Sequence, residues 1–241
     1  MIKVTLVPIL PHNENYAYLL EADNGEVAVV DPGEAAPFIE ILEHRNLKPD
    51  VILITHHHWD HIDGLPDMLR WHKCPVAGPS KEKTRIQPLD ILLDETSEFS
   101  FGGERVQIIE TPGHTHGHIC FYFPESGFIL AADAMFSMGC GRLFEGTPEE
   151  MWGSLQKIST LPDNTQIYCG HEYTLSNAQF CLGIEPENEA LQKRLKEVEG
   201  MVVENKPTLP VSLAIEKQTN IFLRAETPEK FAELRALKDR A

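Results

Sequence analysis

The chain has 241 residues, of which 42% are hydrophobic and 24% charged, a composition typical of a globular protein with one large domain or a large and a small one. The formal net charge of −16 argues against a nucleic-acid partner, because phosphate binding needs a basic surface. No apolar run reaches the length of a membrane span, and the five cysteines are scattered without a C-x-x-C pair. We therefore expect a cytoplasmic protein with reduced thiols, no signal peptide and no membrane contact.

The N-terminal part of the chain mixes strand and helix patterns. The predicted elements are three strands, a helix, a buried strand, a second helix and a short strand, at residues 2–7, 16–21, 26–30, 34–46, 51–54, 62–72 and 76–77. A polar turn containing asparagines separates the first two strands. Residues 80–96 are polar, and we expect them to be irregular.

Strand patterns continue toward the middle of the chain, and helices dominate its end. Further strands are predicted at residues 98–101, 106–110, 119–123, 128–131 and 166–169. Thr147-Pro148-Glu149-Glu150 is a capping box that starts a helix ending near Thr160. After residue 172 the pattern is helical, and the last helix, capped at Thr227-Pro228, carries Phe231, Leu234 and Leu237 as its apolar stripe. We predict two mixed sheets packed together with helices outside, in domains 1–172 and 173–241.

The segment Thr55-His56-His57-His58-Trp59-Asp60-His61 directly follows the buried strand at 51–54. Imidazole and carboxylate groups are both ligands for divalent metal ions. In an extended segment alternate side chains share a side, so His56 and His58 converge while His57 points away. Asp60 and His61 follow where we expect the chain to turn into a helix. The segment thus offers two pairs of ligands and predicts two metal ions.

Further candidate ligands stand at the ends of other predicted strands: His114, Asp133 and His171. Loop residues held by a rigid scaffold commonly carry function, although each of these three alone is better explained as a structural residue. Asp31 ends the third strand, where it is either a turn former or a carboxylate that supports the metal ligands. We expect His57 and His118 beside the ligands, His116 exposed, and Asp63 a solvated residue at a helix N-terminus.

His56-x-His58-x-Asp60-His61, followed by His114, Asp133 and His171, resembles the ordered motifs of the metallo-β-lactamase superfamily over residues 1–172. The resemblance implies an α+β fold, an αβ/βα sandwich of two mixed sheets, here with a small C-terminal helical domain. It implies that His56, His58 and His114 bind one metal ion, that Asp60, His61 and His171 bind the other, and that Asp133 bridges them. It implies two divalent ions per chain, zinc by preference with iron or manganese as alternatives, and catalytic roles for Asp60 and Asp133.

Nearly the whole chain also resembles the hydroxyacylglutathione hydrolase (glyoxalase II) family. Four segments carry this resemblance: Cys140-Gly141-Arg142-Leu143-Phe144-Glu145-Gly146-Thr147, His171-Glu172-Tyr173-Thr174, Asn220-x-Phe222-Leu223-Arg224 and Arg235-x-x-Lys238-Asp239. It implies hydrolysis of S-D-lactoylglutathione to D-lactate and glutathione by a metal-bridging hydroxide. By matching positions, the residues that bind glutathione are Arg142, Phe144, Tyr173, Arg235 and Lys238. Phe144 stands where some relatives have a tyrosine, so a hydroxyl contact is missing.

Local cations agree with this implication, because glutathione carries two carboxylates and an acidic protein needs basic side chains to bind them. Arg235 and Lys238 are spaced i, i+3 and share one face of the last helix. Three alternatives remain open: a superfamily enzyme with a single iron, such as a persulfide dioxygenase; a phosphodiesterase or nuclease, which the net charge disfavours; and a non-enzymatic metal-binding protein. We expect a monomer.

Overall fold

A computed structural model describes residues 1–10 and 15–241, so the predicted polar turn near residues 11–14 lies outside the described residues. The chain forms two mixed sheets and a C-terminal helical region, which confirms the predicted fold class. By compactness it divides into a first unit, residues 1–110 with 117–126, and a second unit, residues 111–116 with 127–241. The boundary predicted at residue 172 separates the strand-rich part of the sequence from the helical part rather than compact units, and it stays a prediction.

The first unit contains a sheet in which the strands lie side by side in chain order: β1 (Ile2–Ile9), β2 (Asn15–Ala22), β3 (Val27–Val30), β4 (Val51–Leu53), β5 (Val76–Pro79) and β6 (Ile91–Leu93). The pairs β1–β2 and β2–β3 are antiparallel, and the pairs from β3 to β6 are parallel. A second ladder in this unit joins β7 (Phe99–Phe101), β8 (Glu104–Glu110) and β9 (Ile119–Phe123) in antiparallel fashion. Strands β3, β4 and β5 are buried throughout, as expected of parallel strands covered on both faces.

The helices of the first unit are α1 (Ala36–His44), α2 (Trp59–Ile62) and α3 (Leu65–Trp71). Phe38 and Leu42 of α1 and Met68 of α3 are buried in the core that β4 enters through Ile52. The helix predicted over 62–72 is therefore two short helices, the first beginning inside the histidine segment. The prediction of irregular structure over 80–96 is wrong for β6, which has only three residues and pairs through its backbone with β5.

The second unit contains β10 (Phe128–Ala132), β11 (Met135–Phe136), β12 (Gly139–Cys140), β13 (Gln166–Cys169) and β14 (Val211–Ser212). β10 pairs with β13 in parallel, β13 with β14 antiparallel, and β11 with β12 as a hairpin. Its helices are α4 (Pro148–Ser159), α5 (Thr174–Ile184), α6 (Glu189–Val203), α7 (Leu213–Thr219) and α8 (Pro228–Lys238). Among the described residues, no helix combines the length and the apolar character that crossing a membrane requires.

Two helix starts in this unit follow the predicted capping chemistry. The Thr147 hydroxyl accepts from the Glu150 amide while the Glu150 carboxylate accepts from the Thr147 amide, which completes the capping box of α4. Thr227 caps α8 by accepting from the backbone of Lys230. Side-chain oxygens here satisfy amides that lack a partner within the helix.

The apolar stripe predicted for α8 is only partly correct. Phe231 and Leu234 are buried, but Leu237 is 37% exposed and Arg235 takes the third buried position with 6% exposure. Arg235 stands one turn after Phe231, and its guanidinium lies 5.2 Å from the centre of the Phe222 ring. The aromatic ring and the hydrogen bonds described below allow a cation to replace an apolar side chain at this position.

Candidate active site

The histidine segment of the first unit lies at the end of β4, as predicted. Thr55 and His56 are buried, and His58 is the N-cap residue of α2, so Asp60 and His61 belong to that helix. The ring centres of His56 and His58 are 4.8 Å apart, and those of His56 and His61 are 4.2 Å apart. The turn from strand into helix thus gathers imidazoles from successive positions.

A buried carboxylate, Asp31, supports this cluster from the end of β3. It accepts hydrogen bonds from the Thr55 amide at 2.8 Å and the Thr55 hydroxyl at 2.6 Å, and it lies 3.1 Å from His61 Nδ1. Ligand atoms of Asp31, His56 and His61 lie within 4.8 Å of one another. Asp31 has a φ of +49°, a conformation that side-chain-bearing residues rarely adopt and that tends to occur at functional sites. Its side chain contacts His61, and its carbonyl accepts from the Gly33 amide in a turn, so the turn role considered for it is present and the supporting role stays a prediction.

Hydrogen bonding fixes which ring nitrogen of His56 and His61 carries the proton. The Thr55 hydroxyl gives its proton to Asp31, so its oxygen accepts from His56 Nδ1, 3.0 Å away. The Asp31 carboxylate likewise accepts from His61 Nδ1. Both rings are therefore left with Nε2 as the nitrogen with a lone pair that could bind a metal ion. Asn15 donates to Asp60 Oδ2 at 2.9 Å and holds that carboxylate in the same way.

The second unit brings together His114, Asp133 and His171. His114 Nδ1 donates to the Arg142 carbonyl at 2.9 Å, which leaves its Nε2 with the lone pair that a metal ion would need. That Nε2 lies 3.3 Å from Asp133 Oδ2, and His171 Nε2 lies 3.2 Å from the same oxygen. One carboxylate oxygen thus lies close to two imidazole nitrogens. This is the arrangement expected when all three groups bind metal ions.

Local backbone geometry places Asp133. β10 changes register between Leu130 and Ala132, and Ala132 has a φ of +40° directly before Asp133. Gly141 lies so close that a Cβ atom there would stand 2.0 Å from the Asp133 carbonyl oxygen and 2.9 Å from His114 Nδ1. Only glycine allows the chain to pass at this distance.

The neighbouring residues lie mostly where the sequence predicted. His118 is buried with its ring centre 4.9 Å from that of His56, His116 is exposed, and Asp63 is exposed between α2 and α3. His57 Nδ1 lies 3.1 Å from Glu82 Oε2, a fully buried carboxylate. The roles of Glu82, Asn15 and Gly141 were not predicted, because no local pattern marks a residue that acts on a distant part of the chain.

Two aromatic side chains named for substrate binding rest on metal-ligand candidates. The Tyr173 ring stacks on His171 with ring centres 4.8 Å apart and an interplanar angle of 4°. The Phe144 ring meets His114 edge-on at 5.3 Å. Tyr173 is 38% and Phe144 63% exposed, so both present surface to solvent beside these imidazoles.

The three cationic candidates of the second unit differ in accessibility. The Arg142 side chain is 67% exposed, with Nε 3.9 Å from Asp239 Oδ1. Lys238 lies over the Phe180 ring and donates to the Ser176 carbonyl at 3.3 Å. Burial, then the charges of Arg235 and Arg142, lower the pKa of Lys238 below its usual range.

Arg235 is less available than the sequence predicted. Its Nη1 donates to the Cys140 carbonyl at 3.0 Å, and its Nε and Nη2 bind Asp239 Oδ1 at 3.1 Å and 2.9 Å. With Phe222 under its guanidinium, the side chain is held on every side by its own protein.

Comparison with known proteins agrees with this geometry. The family model of the metallo-beta-lactamase superfamily matches residues 12–171, and that of the hydroxyacylglutathione hydrolase C-terminus matches residues 172–241. A hydroxyacylglutathione hydrolase of Ruegeria pomeroyi is 43% identical over 99% of this chain and 98% of its own. One of Rhodopseudomonas palustris is 45% identical over 93% and 88%. The crystal structure of ETHE1 from Myxococcus xanthus matches the fold with a TM-score of 0.74 at 20% identity, covering 98% of this chain and 90% of its own.

The two sheets and the His/Asp clusters are those of a metal-binding metallo-beta-lactamase superfamily protein. Within that superfamily the chain belongs to the hydroxyacylglutathione hydrolases, and it is an enzyme of that class. The imidazole and carboxylate donors fit zinc, iron or manganese, since no thiolate stands among them.

Changing Asp31 to Asn tests the support of His61. The amide leaves only one oxygen to accept the bonds that the carboxylate accepts from Thr55 and His61, so the His61 ring loses its orientation. We expect zinc affinity to fall about 10- to 100-fold, measured by competition with a chromophoric chelator. The control is Asp63→Asn, the same change at an exposed position, which should leave the affinity unchanged. Equal affinities of both variants would contradict the role of Asp31.

Proposed function

We propose that this hydrolase converts S-D-lactoylglutathione and water into D-lactate and glutathione. Family membership supports the reaction class, and the placement of Tyr173 and Phe144 on His171 and His114 carries the proposal. A glutathione thioester bound against these aromatic rings would have its acyl group beside the imidazoles. The aromatic rings that bind glutathione would thus lie next to the imidazoles of the hydrolytic centre.

We assign the metal ligands as the family resemblance implies. His56, His58 and His114 would hold one divalent ion, Asp60, His61 and His171 the other, and Asp133 would bind both, with zinc as the expected metal and iron or manganese as alternatives. When bound, such a pair of ions activates water as a nucleophile near neutral pH and polarises the thioester carbonyl. The orientation of Nε2 in His56, His61 and His114 supports this assignment.

Two carboxylates would be catalytic. Asp133 would fix the ligand geometry through the oxygen that lies near His114 and His171. Asp60, held by Asn15, would take the proton of the attacking water and relay it toward the leaving sulfur. Water would add its oxygen to the acyl carbon, the carbon–sulfur bond would break, and glutathione would leave as a thiolate that then takes up the proton relayed by Asp60. A thiolate is a good leaving group, so this scheme needs no separate general acid.

The glutathione moiety would lie on Arg142, Phe144, Tyr173 and Lys238. Arg142 is exposed and would exchange its long contact with Asp239 for a glutathione carboxylate, which it can bind with two parallel hydrogen bonds. Arg235 belongs to the same site, but its donors are already engaged. It would act on glutathione through Asp239 and the Cys140 carbonyl rather than by direct contact.

We further propose that residues 1–172 form the catalytic domain and 173–241 the glutathione-binding domain, and that the enzyme works as a monomer in the cytoplasm. The positions matched by the two family models support the domains. The cysteines support a reducing compartment, since burial raises the pKa of Cys140 to about 11 and that of Cys181 to about 12. Such thiols are protonated and unreactive at neutral pH.

The direct test compares S-D-lactoylglutathione with a simple lactoyl thioester that lacks the glutathione peptide, and with a β-lactam. We expect kcat/KM for the glutathione thioester to exceed that for the simple thioester about 100-fold or more, because contacts remote from the reacting carbon contribute to transition-state binding. Metal ions are counted by elemental analysis on the same sample, and we expect two per chain.

Equal kcat/KM for both thioesters would overturn the glutathione assignment. A single iron per chain, with oxygen consumption on a glutathione persulfide, would favour the dioxygenase alternative instead.

The lowered pKa of Lys238 predicts how KM responds to pH. A lysine with a lowered pKa loses its proton at a lower pH than usual, so its attraction for a glutathione carboxylate fades as pH rises through the alkaline range. We expect KM for S-D-lactoylglutathione to rise there in the wild type. In Lys238→Arg, whose charge persists, KM should stay flat. Lys238→Met should raise KM about fivefold at neutral pH with little change in kcat.

Lys230→Met is the matched control, since Lys230 is on the same helix and pairs with Glu233 at the surface. It should leave KM unchanged at every pH. A KM that depends on pH equally in the wild type and in Lys238→Arg would show that another group is responsible.

A further inference from the structure

The hairpin formed by β11 and β12, residues 135–140, is bound by side chains of the C-terminal helices at every carbonyl from Phe136 to Cys140. The donors come from α5, from the end of α7 and from α8: Asn220 to Phe136, Asn177 to Ser137, Cys181 to Met138, Asn220 to Gly139 and Arg235 to Cys140. Five consecutive carbonyls served by side chains far along the chain are unusual, because hairpin carbonyls normally bond to the partner strand or to water.

Asn220 lies at the centre of this arrangement and is fully buried. Its amide nitrogen donates to the carbonyls of Phe136 and Gly139, and also to Glu216 Oε2 at 3.0 Å. Its amide oxygen accepts from the backbone of Phe222 and Leu223. Every contact of the nitrogen is an acceptor and every contact of the oxygen is a donor, so this position requires an asparagine.

Glu216 adds the acceptors that the hairpin amides need. This fully buried carboxylate accepts from the Ser137 hydroxyl and from the Met138 amide, both at 2.8 Å. Met138 has a φ of +54°, a conformation disfavoured for any residue except glycine. Such a conformation persists only where the surroundings over-determine it, and here the Met138 amide and carbonyl are both bound by buried side chains.

The hairpin connects the two parts of the candidate site in this unit. Asp133 lies two residues before it, and Arg142 lies two residues after it. The Arg142 carbonyl orients His114, and Gly141 passes against the Asp133 carbonyl. A shift of the hairpin therefore moves a bridging-ligand candidate and the acceptor that orients His114 together.

We propose that Asn220 and Glu216 are positioning residues: through the hairpin, the C-terminal helical region sets the placement of Asp133, His114 and Arg142, in addition to binding substrate. This inference rests on the proposed function only where its test measures hydrolysis of the glutathione thioester. Neither residue touches the substrate; each acts through the hairpin backbone. The helical region would thus be required for the hydrolytic centre to form correctly, even with a thioester that lacks glutathione.

The sharpest test is Asn220→Asp, which keeps the shape and the acceptor oxygen for Phe222 and Leu223 but turns the contacts of the amide nitrogen with its three acceptor oxygens into repulsion. We expect kcat/KM to fall about 10- to 100-fold for the glutathione thioester and equally for the simple thioester, because misplacing reacting groups by about 1 Å has an effect of that size. Hydrogen exchange of the metal-free protein should show faster exchange at residues 135–140, with protection of α6 unchanged.

Two further variants separate positioning from general destabilisation. Glu216→Gln should lower kcat/KM less than about threefold, because the Ser137 hydroxyl can become an acceptor for the new amide. Combined with Asn220→Asp, it removes the repulsion between two buried carboxylates and should recover activity about fivefold over Asn220→Asp alone. Asn164→Asp is the control, since Asn164 is an exposed turn residue and the same change there should retain full activity.

The proposal is overturned if Asn220→Asp shows wild-type hydrogen exchange at residues 135–140. It is also overturned if adding Glu216→Gln to Asn220→Asp recovers no activity. A loss confined to the glutathione thioester would also overturn it, since that result indicates a role in substrate binding alone. If Asn220→Asp fails to fold, Asn177→Asp tests the same contact from α5 at the Ser137 carbonyl, with the same expected exchange. A wild type that does not hydrolyse S-D-lactoylglutathione refutes the proposed function, while the exchange experiment still decides this one.

Discussion

The orientation of the histidine rings is the constraint on which the rest of the candidate site depends. Oxygen acceptors hold the Nδ1 atoms of His56, His61 and His114: the Thr55 hydroxyl, the Asp31 carboxylate and the Arg142 carbonyl. Each bond fixes a tautomer and leaves Nε2 available for the metal ion that the proposed function assigns to it. Asp31 and Ala132 both have a positive φ, because each lies where a strand bends to place a carboxylate, that of Asp31 itself and that of Asp133.

The C-terminal helices have more than one connection to this chemistry. Lys238 in α8 and Tyr173 at the start of α5 are placed on glutathione by the proposed function, and the helices also bind the hairpin that follows Asp133. Arg235 belongs to both connections, because its guanidinium bonds to the Cys140 carbonyl and to Asp239 beside Arg142. Arg235 thus bonds to the framework of the site, and the proposed function leaves the substrate to exposed Arg142 and half-buried Lys238.

The sequence predicted the features that depend on local pattern. The buried strand before His56, the capping box at Thr147 and the strand end at Asp133 are each encoded within a few neighbouring residues. The hairpin at 135–140 and strand β6 were missed because they are two or three residues long and are held by distant partners. Asn15, Glu82 and Glu216 were missed for the same reason, since a single polar residue shows its role only when the fold brings its partner close.

The measurement that tests the account most directly is anomalous diffraction from crystals grown with zinc and collected on both sides of the zinc edge. We predict two anomalous peaks about 3.5–4 Å apart, one bound by His56, His58 and His114 and the other by Asp60, His61 and His171, with Asp133 between them. The Nε2 atom should be the ligand in His56, His61 and His114. A single peak, or ligation through Nδ1 in these three residues, would contradict it.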